Sequence, residues 1–343
     1  MGRGGNRAQR VIEMRSANHA GRWLEQRERF LSLHFCVLNL LAAMTAHAQW
    51  PFASPSPGAS PRPFFNQPAA ASAEPARDVP LVEKKWEQLG NTEVDESGRI
   101  ALAIDPQKWR HAETPNFVIH YRRVTEAQKV AREIEYDIWF VAKSLGAARE
   151  SYARKSHVFV FEDEKEWTEF LAKTNWPSWA SSFARGDELF LSVRRAEAGG
   201  HFDSQTLAHE TTHAVAARLY PRGHWTIWLS EGLAEYMGAA SVAARKNQSV
   251  KRHERTLNYA KMSLDELTAL QKYPDDREAV AQLYETSEKL IRFLMTNLPR
   301  ERFTRFLETV LTGQTLRDAV LGVYGDEIKN WDDFLKKFDR FSK

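Results

Sequence analysis

The sequence predicts an α+β fold, in which a small mixed sheet in the N-terminal half is followed by a helical half. The first observation is that segments of strand composition, bounded by turn residues, occur only before residue 200. They cover 117–121, 157–161 and a hairpin over 183–193 that turns at Arg185-Gly186-Asp187. The second observation is that apolar residues recur at helical spacing in the segments that follow. With 43% apolar and 27% charged residues, the chain also has the ordinary composition of a soluble globular protein.

Helical periodicity, together with glycine and proline stop signals, predicts two helices between the strands and six after them. The predicted helices cover 126–145, 164–173, 203–220, 226–240, 264–270, 277–297, 300–311 and 327–338. Aromatic residues of the last two fall at helical spacing: Phe303, Phe306, Trp331, Phe334 and Phe338. We expect these rings in the core, with a surface for a protein partner as the alternative.

The first 48 residues have the three parts of a secretory signal peptide, with an overlong leader. An apolar run over 30–44 follows three arginines and ends in Thr45-Ala46-His47-Ala48, a small-residue cleavage pattern. Met14 is an alternative start, and a retained membrane anchor is the alternative to cleavage. The run is short for a spanning helix and is interrupted by His34 and Asn39. We therefore expect export to the periplasm or the medium, with no stable membrane span once the signal is removed.

Residues 49–80 are rich in proline, alanine and serine and predict a disordered linker, because they contain too little apolar surface to fold. One folded domain is expected over 81–343, with its sheet-containing part at 81–200 and its remaining helices at 201–343. Residues 1–48 contain seven arginines and three acidic residues, which together exceed the chain's formal charge of +3. The remaining residues, 49–343, are therefore nearly neutral as a group. This charge predicts no nucleic-acid partner. No pattern in the sequence indicates an oligomeric state.

The chemistry of the chain centres on the stretch His209-Glu210-Thr211-Thr212-His213. Two histidines four residues apart lie on one helical face, so both imidazoles can reach a single metal ion. Because the only cysteine, Cys36, lies in the predicted signal peptide, histidines and carboxylates must supply the ligands. We expect one Zn²⁺, bound by His209 and His213, with Glu210 as the general base that takes a proton from water. The alternative is a structural helix whose polar residues face solvent.

A third ligand is expected from the next helix, in the stretch Trp228-Leu229-Ser230-Glu231-Gly232-Leu233-Ala234-Glu235-Tyr236. The apolar neighbours of Glu231 argue for a buried setting. Three protein ligands also leave one position for water, which is the arrangement of catalytic zinc sites. Glu235 lies one turn after Glu231 and can accept the free N–H of a ligand histidine. For each carboxylate the alternative is a solvated surface position.

An HExxH motif followed by WLxEGLAEY resembles the gluzincin zinc metallopeptidases, whose thermolysin- and aminopeptidase-N-like catalytic domains have a zincin-like fold. The pattern is particularly similar to exported bacterial peptidase-MA-like proteins, specifically over 203–240 and more loosely over 110–300. The resemblance implies zinc bound by the two motif histidines and Glu231, with the motif glutamate as general base. It also implies that Glu235 is the acid that thermolysin-like enzymes carry beside their ligands.

Two further roles follow from the resemblance alone. The segment 283–290, LYETSEKL, is similar to the YEKG segment of aminopeptidase N, whose tyrosine stabilises the oxyanion, so Tyr284 is implied as a catalytic residue. Thr-Ser replaces the Lys-Gly of that segment, and a core tyrosine is the alternative. The strand with Leu189, Leu191 and Val193 lies where relatives pair with an extended substrate. No GxMEN-like segment precedes the motif, so the resemblance does not extend to aminopeptidase specificity.

These patterns predict an exported zinc metallopeptidase that hydrolyses a peptide or protein substrate with a zinc-activated water. One alternative is a catalytically degenerate relative that binds peptide or envelope polymer in its cleft. A second alternative is an interaction protein that acts through its helical C-terminal half. Neither the substrate sequence nor the choice between endo- and exo-cleavage follows from the residues.

Overall fold

A computed structural model describes residues 79–147, 154–178, 180–193, 203–248 and 262–342 of the protein. Within these ranges six strands form one sheet: β1 Val82–Lys84, β2 Arg110–Glu113, β3 Phe117–Tyr121, β4 Ser156–Phe161, β5 Ser182–Arg185 and β6 Glu188–Ser192. Their order across the sheet is β1-β2-β3-β4-β6-β5. The predicted signal peptide, with Cys36, and all of the predicted linker but its last two residues lie outside the described residues.

The sheet is mixed, because its central strands are parallel and its margins are antiparallel. Strands β3, β4 and β6 run parallel, with Ile119 opposite Val158. On one side β1 and β2 pair antiparallel, and on the other side β5 and β6 form a hairpin. Gly186 in the hairpin turn has a φ of 58°, a left-handed conformation that glycine adopts without strain. The predicted strands and hairpin are confirmed, whereas β1 and β2 have no counterpart among the predictions.

Ten helices occur in the described residues: α1 Glu96–Ala103, α2 Val124–Ser144, α3 Glu164–Thr174, α4 Ser204–Leu219, α5 Ile227–Arg245, α6 Leu264–Ala269, α7 Arg277–Thr296, α8 Phe303–Leu311, α9 Leu316–Val323 and α10 Trp331–Ser342. Every predicted helix has a counterpart, whereas α1 and α9 lack a prediction. The last helix begins after the predicted residue 327, because Asn330 Oδ1 accepts the N–H of Asp333 and caps it there. A mixed sheet with these helices confirms the predicted α+β class.

The two faces of the sheet contribute to different cores. Residues such as Ile119, Val158 and Leu191 lie on the front face, against α2 and α4, in a core that also includes the C-terminal helices. Phe159 and Phe190 lie on the back face, against α1 and α3. Because α4 packs on β5 and β6 at the front face, the sheet fixes the position of the helix that carries the HExxH motif.

The aromatic residues of the C-terminal helices lie in the core, as expected from their spacing. Phe303, Phe306, Phe334 and Phe338 are buried, and Trp331 packs against them while partly exposed. They therefore stabilise the helical half rather than form an exposed binding surface. None of the helices in the described ranges has the length and apolar composition that crossing a membrane requires.

Three histidines form a chain along the back face, one from each of β2, β3 and β4. His111 Nδ1 lies 2.7 Å from His120 Nδ1, and His120 Nε2 lies 2.8 Å from His157 Nδ1. Burial, then the two neighbouring imidazoles, lowers the pKa of His120 well below its usual value. Burial also lowers the pKa of His111 and brings that of His157 to about 4. All three rings are therefore neutral at physiological pH.

Glu188, the first residue of β6, holds a proton on the same face. Its Oε1 accepts the N–H of Asp95 at 2.8 Å, and the residue is only 4% exposed. Burial, and then the carboxylate of Asp95, raises the pKa of Glu188 to about 9. Because the folded-state pKa lies above the ordinary value, the stability that this proton contributes is complete at acidic pH. It is lost as the pH rises towards the folded-state pKa.

We predict that Glu188→Gln flattens this pH dependence. The amide keeps an acceptor for the Asp95 N–H and cannot ionise. Between about pH 5 and pH 9, the free energy of unfolding of the wild type should fall by at least about 1 kcal/mol more than that of the variant. Urea unfolding across this range measures the difference, and parallel curves for the two proteins would contradict a protonated Glu188.

Candidate metal centre

Helix α4 carries the two motif histidines and begins at a well-formed cap. The side chain of Asp203 accepts the N–H of Gln205 at 3.0 Å and the hydroxyl of Thr206 at 2.7 Å, which fixes the first turn. One turn and a half later, His209 and His213 lie side by side on the helix. Their Nε2 atoms are 3.1 Å apart, so the spacing of four residues brings both imidazoles to one place.

Glu231 reaches the histidines from α5, which crosses α4 at a close contact. The contact depends on Gly238, since a Cβ atom at that position would lie 3.0 Å from the backbone nitrogen of His209. Glu231 Oε2 lies 3.5 Å from His209 Nε2 and 3.7 Å from His213 Nε2. The residues of the predicted ligand set therefore lie together on two adjoining helices.

The second nitrogen of each imidazole has its own partner. His209 Nδ1 lies 3.4 Å from Glu235 Oε1, where the sequence leads us to expect an acceptor, and His213 Nδ1 lies 3.1 Å from Ser230 Oγ. A hydrogen on each Nδ1 leaves both Nε2 lone pairs directed towards Glu231. This is the tautomer that a metal ligand needs: the carboxylate of Glu235 favours it for His209, and the hydroxyl of Ser230 can accept the corresponding hydrogen of His213.

His209 and Glu231 also stabilise each other's charged form. Burial opposes ionisation of both, yet His213 and His209 lower the pKa of Glu231 far below its usual range. For His209, the carboxylates of Glu231 and Glu235 outweigh burial and raise the pKa well above its usual value. A metal ion would take the place of that proton, because only a deprotonated imidazole is a ligand.

The donor set fits Zn²⁺. Tetrahedral Zn²⁺ binds His nitrogen and carboxylate oxygen at about 2.0–2.1 Å, which sets neighbouring ligand atoms about 3.3 Å apart. The three separations here are 3.1, 3.5 and 3.7 Å. Glu231 Oε2 is buried and has no hydrogen-bond partner among the described residues, and an ion between the three atoms would satisfy it. No other cluster of His, Cys, Asp or Glu in the described ranges groups three ligand atoms in this way.

Glu210, the predicted general base, lies on α4 at the edge of the sheet. The hydroxyl of Ser182, the first residue of β5, donates to Glu210 Oε1 at 3.0 Å. Glu210 is 8% exposed, and its charge acts on both His209 and Tyr273. The edge strand is therefore linked by one side chain to the predicted base.

Two tyrosines lie beside Glu231. The hydroxyl of Tyr273 donates to Glu231 Oε1 at 2.5 Å. Tyr284, on α7, is 2% exposed, and burial followed by the charge of Glu231 raises its pKa well above the usual value. Tyr284 thus belongs to the group of side chains around Glu231, and its role towards an oxyanion stays a prediction.

The expected substrate strand has to be reassigned. Strand β6, with Leu189 and Leu191, pairs with β4 on one edge and β5 on the other, so it has no free edge for a peptide. Leu189, Leu191 and Val193 are buried in the core instead of lining a cleft. Among the described strands, β5 lies at the margin of the sheet, beside the motif helix, and pairs only with β6. A hairpin predicts two paired strands, but it does not indicate which of them is at the margin.

Ser182, Ser230 and Tyr273 are contacts of the site that the sequence patterns do not reveal. Ser182 lies 28 residues from its partner Glu210, and Tyr273 lies 42 residues from Glu231. Ser230 directly precedes Glu231, which is the one signal that could have drawn attention to it. Neither a scan of protein-family models nor a search of curated proteins found a match for this chain.

Proposed function

We propose that this chain is a zinc-dependent metallopeptidase of the gluzincin type that hydrolyses peptide bonds. The observation that carries the proposal is the grouping of His209 Nε2, His213 Nε2 and Glu231 Oε2 within 4.8 Å of one another. The buried, unpartnered oxygen of Glu231 supports it further. The zincin-like fold belongs to this proposal, as does export, which rests on the signal-peptide pattern of residues 1–48.

Three protein ligands suit a catalytic zinc site rather than a structural one. Structural sites hold Zn²⁺ with four protein ligands, whereas catalytic sites keep a position for water or substrate. Zn²⁺ held by His209, His213 and Glu231 would supply Lewis-acid chemistry there, which polarises a substrate carbonyl and lowers the pKa of water. Glu235 and Ser230 orient the two imidazoles, so the chain itself sets the direction of their Nε2 atoms.

Glu210 is the group that transfers a proton during hydrolysis of the peptide bond. It takes a proton from the attacking water and delivers it to the amine that leaves when the peptide bond breaks. Its Oε1 accepts a hydrogen bond from Ser182, and a carboxylate has a second oxygen that can receive the proton. The hydrogen bond also fixes the carboxylate against the sheet, so that its orientation is set before substrate arrives.

A peptide substrate is favoured by the margin of the sheet next to the site. An edge strand can pair with an extended peptide through main-chain hydrogen bonds, which gives affinity without selecting side chains. Strand β5 begins at Ser182, whose side chain contacts the base, so a peptide paired with β5 would run past Glu210. Tyr284 is our candidate for contacting the carbonyl oxygen during attack.

A labelled peptide library tests the proposal directly. Digestion of a library marked at both termini should give fragments that vanish with a zinc chelator and return with added Zn²⁺. The position of the cleavages relative to the termini then distinguishes endo- from exo-cleavage. A protein that binds one zinc per chain but leaves the whole library intact would instead be a degenerate relative that binds peptide or envelope polymer.

We predict that His213→Ala loses the metal. The substitution removes one of three ligands, so zinc affinity should fall by more than the ~10–100-fold expected for a residue that only supports a ligand. Elemental analysis after dialysis measures the zinc content. His224→Ala is the control, because His224 lies near the motif in sequence but outside the ligand group. Undiminished zinc in His213→Ala would remove His213 from the ligand set.

A further inference from the structure

The two oxygens of Glu231 have different surroundings. Oε1 accepts a hydrogen bond from the hydroxyl of Tyr273 at 2.5 Å, whereas Oε2 has no hydrogen-bond partner among the described residues. Oε2 is also the oxygen that faces the two Nε2 atoms of the histidines. One oxygen is thus occupied by a protein donor and the other is left for an ion.

We infer that Tyr273 is a positioning residue that holds Glu231 as a one-oxygen ligand of the metal. The inference rests on the proposed zinc site and adds to it the residue that decides how the carboxylate binds. A carboxylate can bind Zn²⁺ through one oxygen or two, and the second mode uses the position that a catalytic site keeps for water. By occupying Oε1, Tyr273 keeps that position available.

The contact has the properties of a strong hydrogen bond. An O–H donor to an ionised carboxylate forms a shorter and stronger bond than a neutral pair. Glu231 is 5% exposed, so little solvent is available to replace the Tyr273 hydroxyl. Without that donor, Oε1 would lose its short hydrogen bond in a buried setting, and turning towards the metal would compensate for the loss.

The segment that carries Tyr273 is anchored at both ends. Helix α6 before it begins with a reciprocal cap, in which Ser263 and Glu266 exchange hydrogen bonds with each other's backbone. Helix α7 after it begins at Asp276, whose side chain accepts the N–H of Ala279 at 2.8 Å. The ring of Tyr273 packs against the main core. The tyrosine is thus held in place independently of Glu231, as a positioning residue must be.

Tyr273→Phe tests the inference, because it removes one hydroxyl and keeps the ring. Tyr324→Phe is the matched control, since the hydroxyl of Tyr324 is buried without a hydrogen-bond partner among the described residues. Zinc dissociation constants are measured for the full chain by competition with a chromogenic chelator. We expect Tyr273→Phe to bind zinc about 10–100-fold more weakly than the wild type, and Tyr324→Phe to match it.

The visible absorption spectrum of the cobalt-substituted proteins gives a second readout. It would not change if the role of Tyr273 were purely structural. Four-coordinate Co²⁺ absorbs visible light more strongly than five-coordinate Co²⁺. A carboxylate that binds through both oxygens in Tyr273→Phe should therefore weaken the visible bands, while the control keeps the wild-type spectrum.

A Tyr273→Phe protein with wild-type affinity and spectrum would overturn the inference and leave the proposed function standing. A wild-type chain that binds no zinc would overturn both, and one that binds zinc without cleaving peptides would overturn only the peptidase.

Discussion

Replacing Glu210 by Gln is expected to abolish peptide hydrolysis while zinc stays bound. An amide is close to the carboxylate in shape and can still accept the hydrogen bond from Ser182, but it cannot take a proton from water. General acid–base catalysis contributes about 10²–10⁴-fold to a rate, so turnover should fall by at least about 100-fold. The proposed ligand atoms of His209, His213 and Glu231 are unchanged, and the zinc content should therefore equal that of the wild type.

Glu188→Gln is the matched control for this variant. It makes the same Glu-to-Gln replacement at a buried carboxyl group on the back face of the sheet, away from the proposed ligand group. We expect it to retain full activity at neutral pH. Zinc content and peptide cleavage are measured side by side for the two variants. Activity in Glu210→Gln close to that of the wild type would exclude Glu210 as the base, whereas loss of zinc would assign it a ligand role instead.

Gly232→Ala is expected to have the largest effect on stability. A Cβ at this position would lie 2.5 Å from the main-chain oxygen of Ser287 and 2.8 Å from its carbonyl carbon. Because those atoms belong to the backbone of α7, α5 and α7 must separate to admit the methyl group. Overpacking of this kind costs about 1–3 kcal/mol and occasionally more. The melting temperature should fall by several degrees, at about 2–4 °C per kcal/mol for a domain of this size.

The same substitution should weaken zinc binding, because Glu231 precedes Gly232 on the helix that has to move. Gly322→Ala provides the control: it lies in α9, and a Cβ there meets no atom within 4 Å. Alanine is favoured over glycine in a helix by about 1 kcal/mol, so this variant should be as stable as the wild type or slightly more so. Thermal unfolding of both variants measures the contrast. Equal melting temperatures for Gly232→Ala and Gly322→Ala would mean that α5 and α7 can separate without a loss of stability.

The elements that the sequence predicts correctly are those with a local signal. Helix α4 combines a capping Asp203 with apolar periodicity, and the hairpin β5–β6 has a glycine at its turn. Helix α5, which carries Glu231, is predicted for the same reason, by its apolar face around that residue. Short-range patterns of this kind are sufficient to predict each helix, and the HExxH spacing is sufficient to place two imidazoles together.

The elements and contacts that the sequence does not predict depend on partners far along the chain. Strand β2 reads Arg-His-Ala-Glu, which has little strand composition, and it forms because β1 and β3 pair with it on either side. Helix α1 has only eight residues, too few for periodicity to distinguish it from a loop. Tyr273 lies between α6 and α7, and it reaches Glu231 of α5 because α5 and α7 pack against each other. No sequence motif spans the 42 residues between the two side chains. Long-range pairing of this type has no local sequence signature.

The histidine chain on the back face has a consequence for its hydrogens. Each neutral imidazole carries one N–H, and each of the two contacts between the rings needs one hydrogen. If His120 carries its hydrogen on Nε2, it donates to His157 and accepts from His111; if on Nδ1, both directions reverse. The three rings therefore cannot choose tautomers independently. They behave as one two-state unit, in which reversing the central ring reverses both of its neighbours.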